Sequence, residues 1–373
     1  MTDVIVIGGG IVGCAIAAHL AEAGRKVVLV EQTSIAAGAS GRNSGVVQHP
    51  FDPVLVALHL DTVALYRALP TSDSAALSLP GEPAGLLMVG HDADAISAQA
   101  VALAGTHPGL QPEYLAPGMV RALEPALGPD VAACRLAIGL PVAPAAATEA
   151  YAAWARRLGV EFRIGNAARP WHEPAILRGV VLDDGSRLEA DTVVVAAGAA
   201  SATILDPTGA WRPIRPLWGV VVGIDLDAPP THVIEEAETD LEPGMTDTPA
   251  THAFSLITAA GRSSLGSTFL ADEPDPAAEL PRIVERARTF LPALDTARLG
   301  ALRACARPLS QDGRPLIGRV PGMDGVWIAA GHGPWGISTG PAAGPLLVRA
   351  MDGASAAIPA ALDPARFGPL PTS

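Results

Sequence analysis

Apolar residues fill positions 4–7 without interruption, give way to Gly8-Gly9-Gly10-Ile11-Val12-Gly13, and then recur with a helical period as far as Ala23. A short unbroken apolar run bounded by turn residues reads as a strand covered on both faces. Gly24 stops the helix, and positions 27–30 form a second such run that closes at Glu31. The first 31 residues therefore predict one compact βαβ unit. Residues 36–45 read as a loop of small side chains, and Leu58, Leu65 and Leu69 then follow a helical pattern. From Pro70 to Pro144 the chain is rich in Pro, Gly and Ala, and only short elements without a strong period are expected.

A helix is predicted over 147–158 and a strand over 160–164. Positions 180–182 and 187–188 flank Asp184-Gly185, a hairpin turn signal. Positions 192–196 read as a buried strand ending at Ala197-Gly198. Between Trp211 and Gly300 the pattern changes to short strands with one helix over 282–290. Residues 303–351 return to the Gly-rich style of the N-terminus, and the Pro-rich tail after Met351 is expected to be loosely ordered. The alternation predicts a discontinuous cofactor domain (1–80, 145–210 and 301–373) interrupted by a substrate domain (81–144 and 211–300).

Composition narrows the class. The chain has 373 residues, of which 49% are hydrophobic. Its most apolar stretches, 192–200 and 131–147, are too short or are broken by Arg135, Pro141 and Pro144, whereas a membrane span needs about 20 apolar residues. A net charge of −13 argues against nucleic acid or anionic lipid as a partner. Cys14, Cys134 and Cys305 make no disulfide framework, no CxxC pair suggests zinc, and no metal is expected. The first strand begins at once, with no basic or cleavable apolar segment ahead of it, so a cytoplasmic location is expected. The composition permits an oligomer.

Gly8, Gly10 and Gly13 lie after a strand and before a helix. Gly8 permits a tight turn, Gly10 lets a pyrophosphate approach the backbone, and Gly13 lets helix and strand pack closely. The phosphate faces the helix N-terminus beside Ile11 and Val12. Glu31, next to Gln32, ends the second strand, where a carboxylate accepts ribose hydroxyls and repels a 2′-phosphate. FAD or NAD is thus favoured over NADP. Cys14, inside the helix, reads as packing.

These motifs, with Gly38-Ala39-Ser40-Gly41-Arg42-Asn43-Ser44-Gly45, residues 192–198, Arg307 to Gly318 and Gly331 to Gly344, resemble the FAD-dependent family of D-amino-acid oxidase, glycine oxidase and sarcosine oxidase. The resemblance spans nearly the whole chain. It implies a Rossmann-like α/β FAD-binding domain, in an α+β chain overall, with an antiparallel-sheet substrate domain over the flavin. It places the loop of Gly41, Arg42, Asn43, Ser44 and Gly45 beside the pyrophosphate and flavin edge, Ala197 and Gly198 at a second dinucleotide contact, and Ala167 near the adenine. Arg307 is implied to bind the substrate carboxylate, the alternative being a structural salt bridge. Gly331, His332, Gly333, Trp335, Gly336 and Ile337 form the family's Gly-His-Gly loop. That loop is expected to lead into the last helix with its amides toward the flavin. His332 is read as ordering the loop or, alternatively, as a base; Trp335 as a pocket wall.

Cys305 lies seven residues before Asp312, the spacing at which sarcosine oxidase attaches its flavin. A small residue packed beside the flavin is the other reading. The sarcosine oxidase lysine that promotes reaction with oxygen is replaced by Ser264. His49 faces either the ring or the core, and His252 and Phe254 are expected on a strand facing the cavity. The implied activity is oxidation of a small carboxylate-bearing amine, an amino acid or N-alkyl amino acid. Electrons then pass to oxygen or to a protein or quinone. Two alternatives stand beside it. Gly41-Arg42-Asn43-Ser44-Gly45 also resembles the 2-hydroxyglutarate-oxidising branch, in which His49 or His332 must act as base. A flavoprotein relay subunit without turnover of its own is the third.

Overall fold

A computed structural model describes residues 2–74, 77–173, 176–237, 251–354 and 358–370. β1 (Thr2–Ile7) lies between two parallel neighbours, β2 (Val27–Glu31) and the strand Arg187–Val195. Glu161–Ile164 extends this parallel set beyond β2, and Val326–Ala330 extends it on the other side. Leu316–Arg319 closes that edge antiparallel, while Ala168–Glu173 and Ile176–Leu182 form an antiparallel meander onto Arg187–Val195. The period of two along β1 explains the layers. Val4 and Val6 pack toward α1 (Ile11–Glu22) and the helices Ala146–Arg157 and Ala343–Met351, whereas Ile5 and Ile7 pack on the opposite face with Val193 and Val195. Ile5 is 0% exposed, and burying a side chain of that size contributes about 1.5–3 kcal/mol. α1 is apolar nearly all round because neighbours cover it on more than one side.

The second sheet also has eight strands. It runs Arg298–Ser310, Ile214–Asp225, Arg262–Phe269, Thr251–Ala259, Val233–Glu236, Leu86–Gly90, Ala132–Leu136, Glu113–Leu115. The pairings are antiparallel except Val233–Glu236 with Leu86–Gly90, which is parallel, so the expected antiparallel sheet carries one parallel step. Its rear face packs Val220, Val222, Leu256 and Leu265 against Ile283 and Phe290 of the helix Pro276–Phe290. Its front face looks into a cavity shared with the first sheet. The boundary expected at residue 301 falls inside the edge strand Arg298–Ser310.

Three elements differ from expectation. A helix, Ala93–Thr106, stands in the stretch read as lacking period, capped by Asp92, whose carboxylate accepts from Asp94 N and Ala95 N. The helix expected at 282 begins at Pro276, after the cap Asp275, and runs through Pro281. The tail is tied down: Leu362 is fully buried, Ile317 N donates to its carbonyl at 2.8 Å, and Arg366 pairs with Asp312 at 2.7 Å. Residues 355–357 and 371–373 of that tail, and 238–250 of the expected substrate segment, lie outside the described residues. Among the described residues, no helix is long and apolar enough to cross a membrane.

Candidate flavin and substrate site

The N-terminal glycines are placed by steric need. Gly8 has φ +117°, and an added Cβ there would lie 2.4 Å from the Ala196 carbonyl oxygen. At Gly13 it would lie 2.0 Å from Gly8 O, so only glycine lets α1 come down onto the β1 turn. α1 starts after Gly10 with no acidic residue in its first turn, and Ile11 N donates to Ser40 Oγ at 3.0 Å. The following amides, Val12 and Gly13, have no carbonyl one turn back to accept from them, and Val12 lines the cavity, where it is available to an anion. Glu31 is held at the end of β2. Its Oε2 accepts from Gly9 N at 2.7 Å, and its Oε1 accepts from Thr33 N at 2.8 Å and Thr33 Oγ1 at 3.0 Å. Those three bonds leave part of the carboxylate's acceptor capacity of about four sites for a ligand.

From this cradle a cavity of about 1220 Å³ extends between the two sheets. Gly8, Gly10, Ile11, Val12, Glu31, Gln32, Ala167, Ala197 and Gly198 line one end, and Arg42, Asn43, Ser44 and Cys305 the middle. Arg307, His332, Gly333, Trp335, Gly336, Ile337 and His49 line the other end. Gly13, Gly41, Gly45 and Gly331 do not reach its wall. Gly41 fits against the Ala36 carbonyl, where a Cβ would come within 2.2 Å, and Gly45 and Gly331 take φ of +96° and +86°. These four shape the backbone behind the wall.

The edge strand Arg298–Ser310 forms the middle of the floor. Two loops cross it. Arg42 donates to Ala304 O at 3.2 Å, and His332 forms an isolated bridge with Leu309. Between the crossings, Cys305 and Arg307 face the open space. Arg307 Nη1 donates to Thr268 O at 2.8 Å and Nη2 to Ser267 Oγ at 2.7 Å, and the guanidinium lies 4.7 Å from the Phe269 ring centroid. Gly219, opposite Cys305 on the adjacent strand and diagonal to Arg307, makes the room: a Cβ there would sit 2.4 Å from Arg307 Nη2. No carboxylate among the described residues pairs with Arg307, so the structural salt bridge weighed for it is not formed there. Desolvation pulls the guanidinium below its ordinary pKa. Three of its five N–H donors have no described partner. The arrangement suits a planar anion bound bidentately.

Cys305 is a buried thiol. Burial pushes its pKa up, against the lowering influence of Arg307, Arg42 and Arg303. Asn43 is engaged within its own loop. Its Nδ2 donates to Ser40 O at 2.8 Å and Pro144 O at 3.1 Å, and its Oδ1 accepts from Gly45 N at 2.9 Å. It therefore holds the loop in shape rather than offering its side chain to a ligand. Arg42 and Ser44 remain at the wall.

His332 is held by a defined chain. Thr339 Oγ1 gives its hydrogen to Trp335 O at 2.8 Å, so it accepts from His332 Nδ1 at 2.9 Å, and the other ring nitrogen, Nε2, is buried without a partner. Burial pushes this imidazole down to about 3, so it is neutral throughout the physiological range. Its bonds order the loop. That loop makes only a helical turn, Gly336–Thr339, before the break at Pro341, and the last helix starts at Ala343. The expected direct run into the last helix is interrupted there. His49 lies at the wall with its ring 5.1 Å from that of His59. Burial lowers its pKa too. His252 faces away, paired with Glu279 at 2.6 Å. Phe254 stacks on Phe290 at 4.9 Å behind the sheet, although the residue is also among those lining the cavity.

Sequence reading missed Ser40, Gly219, Ser267 and Phe269. Ser40 had a signal, since it sits in the small-residue loop. Gly219 had a weaker one, because a glycine inside a strand marks a close approach, but nothing local says of what.

A glycine-bounded βαβ cradle ending in an acid, opening onto a second sheet that presents an arginine, defines a dinucleotide-dependent oxidoreductase of two-sheet architecture. The particular family follows from comparison. A model of the FAD dependent oxidoreductase family matches residues 3–350, and the chain belongs to that family. It is therefore an FAD-dependent oxidoreductase. Glycine oxidase from Pseudomonas aeruginosa is 29% identical over 387 residues, covering 98% of this chain and 98% of its own. Glycine oxidase from Bacillus licheniformis is 26% identical over 363 residues, covering 92% and 91%. The solved structure of iminodiacetate oxidase from Chelativorans sp. BNC1 superposes with a TM-score of 0.81 at 24% identity, over 98% of each chain, and shows the same fold.

Proposed function

We propose that this chain oxidises a small amino acid or N-alkyl amino acid at the carbon bearing the amine, giving an imine that hydrolyses to an oxo acid and an amine. The observation that carries the reading is Arg307, a guanidinium without a carboxylate partner among the described residues, in the same cavity as the glycine cradle. A buried cation is costly unless an anion meets it, and a substrate carboxylate supplies one. The cradle fits FAD for the reasons of shape given above: at Gly8 and Gly13 any side chain would collide with backbone, and Val12, at the cavity wall, leaves its amide for the pyrophosphate. When bound, FAD supplies the acceptor for the hydrogen and electron pair leaving the substrate carbon.

The protein's own part is positioning. Ser267 and the Thr268 carbonyl fix Arg307 in rotamer, Phe269 covers its face, and Gly219 leaves its outer donors room. Arg307 then sets where the carboxylate lies and hence where the adjacent carbon lies. The amine needs no protein base if it binds neutral, and His332, locked through Thr339, acts on the loop's shape. We propose a domain division that follows the two sheets, with residues 301–310 moved from the cofactor domain to the substrate domain, so that the cradle lies in one and Arg307 in the other.

The test is anaerobic addition of a panel of amino acids, N-methyl amino acids and 2-hydroxy acids to purified yellow holoprotein. Bleaching of the flavin band by one amine class is the expected outcome. Bleaching by hydroxy acids alone would replace this reading with hydroxy-acid oxidation, and bleaching by none would leave the relay role. Acid precipitation separates a second matter: colour retained in the pellet would place the flavin on Cys305.

A further inference from the structure

The cavity wall around Cys305 is flanked by three arginines that form no ion pair with a carboxylate among the described residues. Arg303, Arg307 and, from the facing loop, Arg42 all act on the Cys305 thiol, and no ion pair joins any of the three to a described carboxylate. Arg307 and Arg42 open onto the cavity. Arg303 does not. Its Nη2 donates to Ser264 Oγ at 2.7 Å and Asn43 O at 3.4 Å, and its Nε is buried with no hydrogen-bond partner. The residue is thus a cation fixed just behind the wall, bound only to neutral acceptors, where burial lowers its pKa. A neutral side chain of the same length would fill this place without the cost of desolvating a charge. Arg303 is half-buried, so solvent screens its charge in part, and negative charge appearing in the cavity would compensate the rest.

We propose that Arg303 is an electrostatic positioning residue for the flavin: its uncompensated charge favours the reduced cofactor and so raises the potential at which the holoenzyme accepts electrons. Two electrons from a reductant such as dithionite and one proton from solvent would leave one net negative charge on a bound flavin. A flavin in the cavity would develop that charge against a wall that includes Cys305 and Arg307, on the strand that also carries Arg303. Arg303 reaches no ligand itself and is not a catalytic residue. The inference depends on FAD binding and not on the amine substrate, so it stands or falls independently of the proposed reaction.

The experiment is the midpoint potential of substrate-free holoprotein, measured by equilibration with reference dyes, for wild type, Arg303→Gln, Arg303→Lys and Ser264→Asp. Arg303→Gln removes the charge, and Ser264→Asp neutralises it by placing a carboxylate where Ser264 Oγ accepts the bond. Both are expected to lower the equilibrium constant for reduction about tenfold, which is about 30 mV for a two-electron couple. Arg303→Lys keeps the charge and is expected to stay near wild type. If Arg303→Gln does not retain FAD, Ser264→Asp alone decides. A wild-type potential in whichever of the two neutralised proteins holds FAD overturns the proposal, as does an equal drop in Arg303→Lys, which would point to packing.

Discussion

At the end of the cavity formed by residues 8–13, what a ligand meets is backbone: first-turn amides and glycines whose missing side chains leave the approach open. At the end formed by the strand Arg298–Ser310 and its neighbours, what it meets is side chains: Arg307, Phe269, Ser267 and Cys305. In the proposed reading the first end recognises a part common to all dinucleotides, and a local spacing of glycines suffices to build it. The second would recognise one reactant, and its groups come from strands far apart in the chain. Substitutions should therefore separate the two: changes at the glycine end remove the cofactor, whereas changes at the strand end leave the cofactor and remove the substrate.

The largest effect is expected at Arg307. Arg307→Met keeps FAD content and thermal midpoint while lowering kcat/KM for a carboxylate-bearing amine about a thousandfold, or about 4 kcal/mol, as when one partner of a buried charge contact is truncated. Loss of FAD from this variant would break the division. Next comes Gly13→Ala, whose Cβ would lie 2.0 Å from Gly8 O. Forcing the helix off the strand costs about 3 kcal/mol, so flavin affinity, read by fluorescence titration of apoprotein, falls about a hundredfold. Undiminished affinity would mean that α1 moves freely. Gly219→Ala is expected to act through Arg307 alone, displacing the guanidinium by its clash at 2.4 Å. KM should rise about tenfold, roughly 1.4 kcal/mol, with flavin binding untouched.

The smallest effect concerns His332, which belongs to the loop between the ends. Its folded pKa, about 3, lies below the ordinary value of 6.5, so the unfolded chain binds the extra proton first. The stability this contributes is complete above pH 6.5 and is lost as pH falls toward 3, at up to about 1.4 kcal/mol per pH unit. His59, pushed down to about 4 chiefly by burial, acts in the same direction. His332→Asn, with an amide in place of Nδ1–H, should show a smaller drop in thermal midpoint between pH 7 and pH 5 than wild type. An equal drop would assign the acid sensitivity elsewhere.

The same contrast explains what could be read in advance. The β1 turn, α1 and Glu31 were legible because the strand, the glycine spacing, the helix and the terminal acid all fall within the first 31 positions. Arg307 was legible only through family resemblance, since its partners Thr268, Ser267 and Gly219 lie 39 or more residues away. The helix Ala93–Thr106 escaped because it is Ala-rich and buries only Ile96 and Ala100, too few for an apolar stripe. The tail was misjudged because proline content says nothing of Leu362, whose burial comes from contact with a strand 45 residues earlier. Asn43 was placed beside the pyrophosphate and flavin edge only through its loop's family resemblance. The carbonyls that occupy it, Ser40 O and Pro144 O, became visible only with the fold.

The central claim is that Arg307 anchors a substrate carboxylate beside the flavin. Its most direct test is the anaerobic rate of flavin bleaching by the preferred amino acid and by its carboxamide, in wild type and Arg307→Met. The account predicts that wild type prefers the acid by about a thousandfold, and that the variant loses this preference by slowing with the acid alone. Equal rates with acid and amide in wild type, or a preference that survives in Arg307→Met, would contradict it.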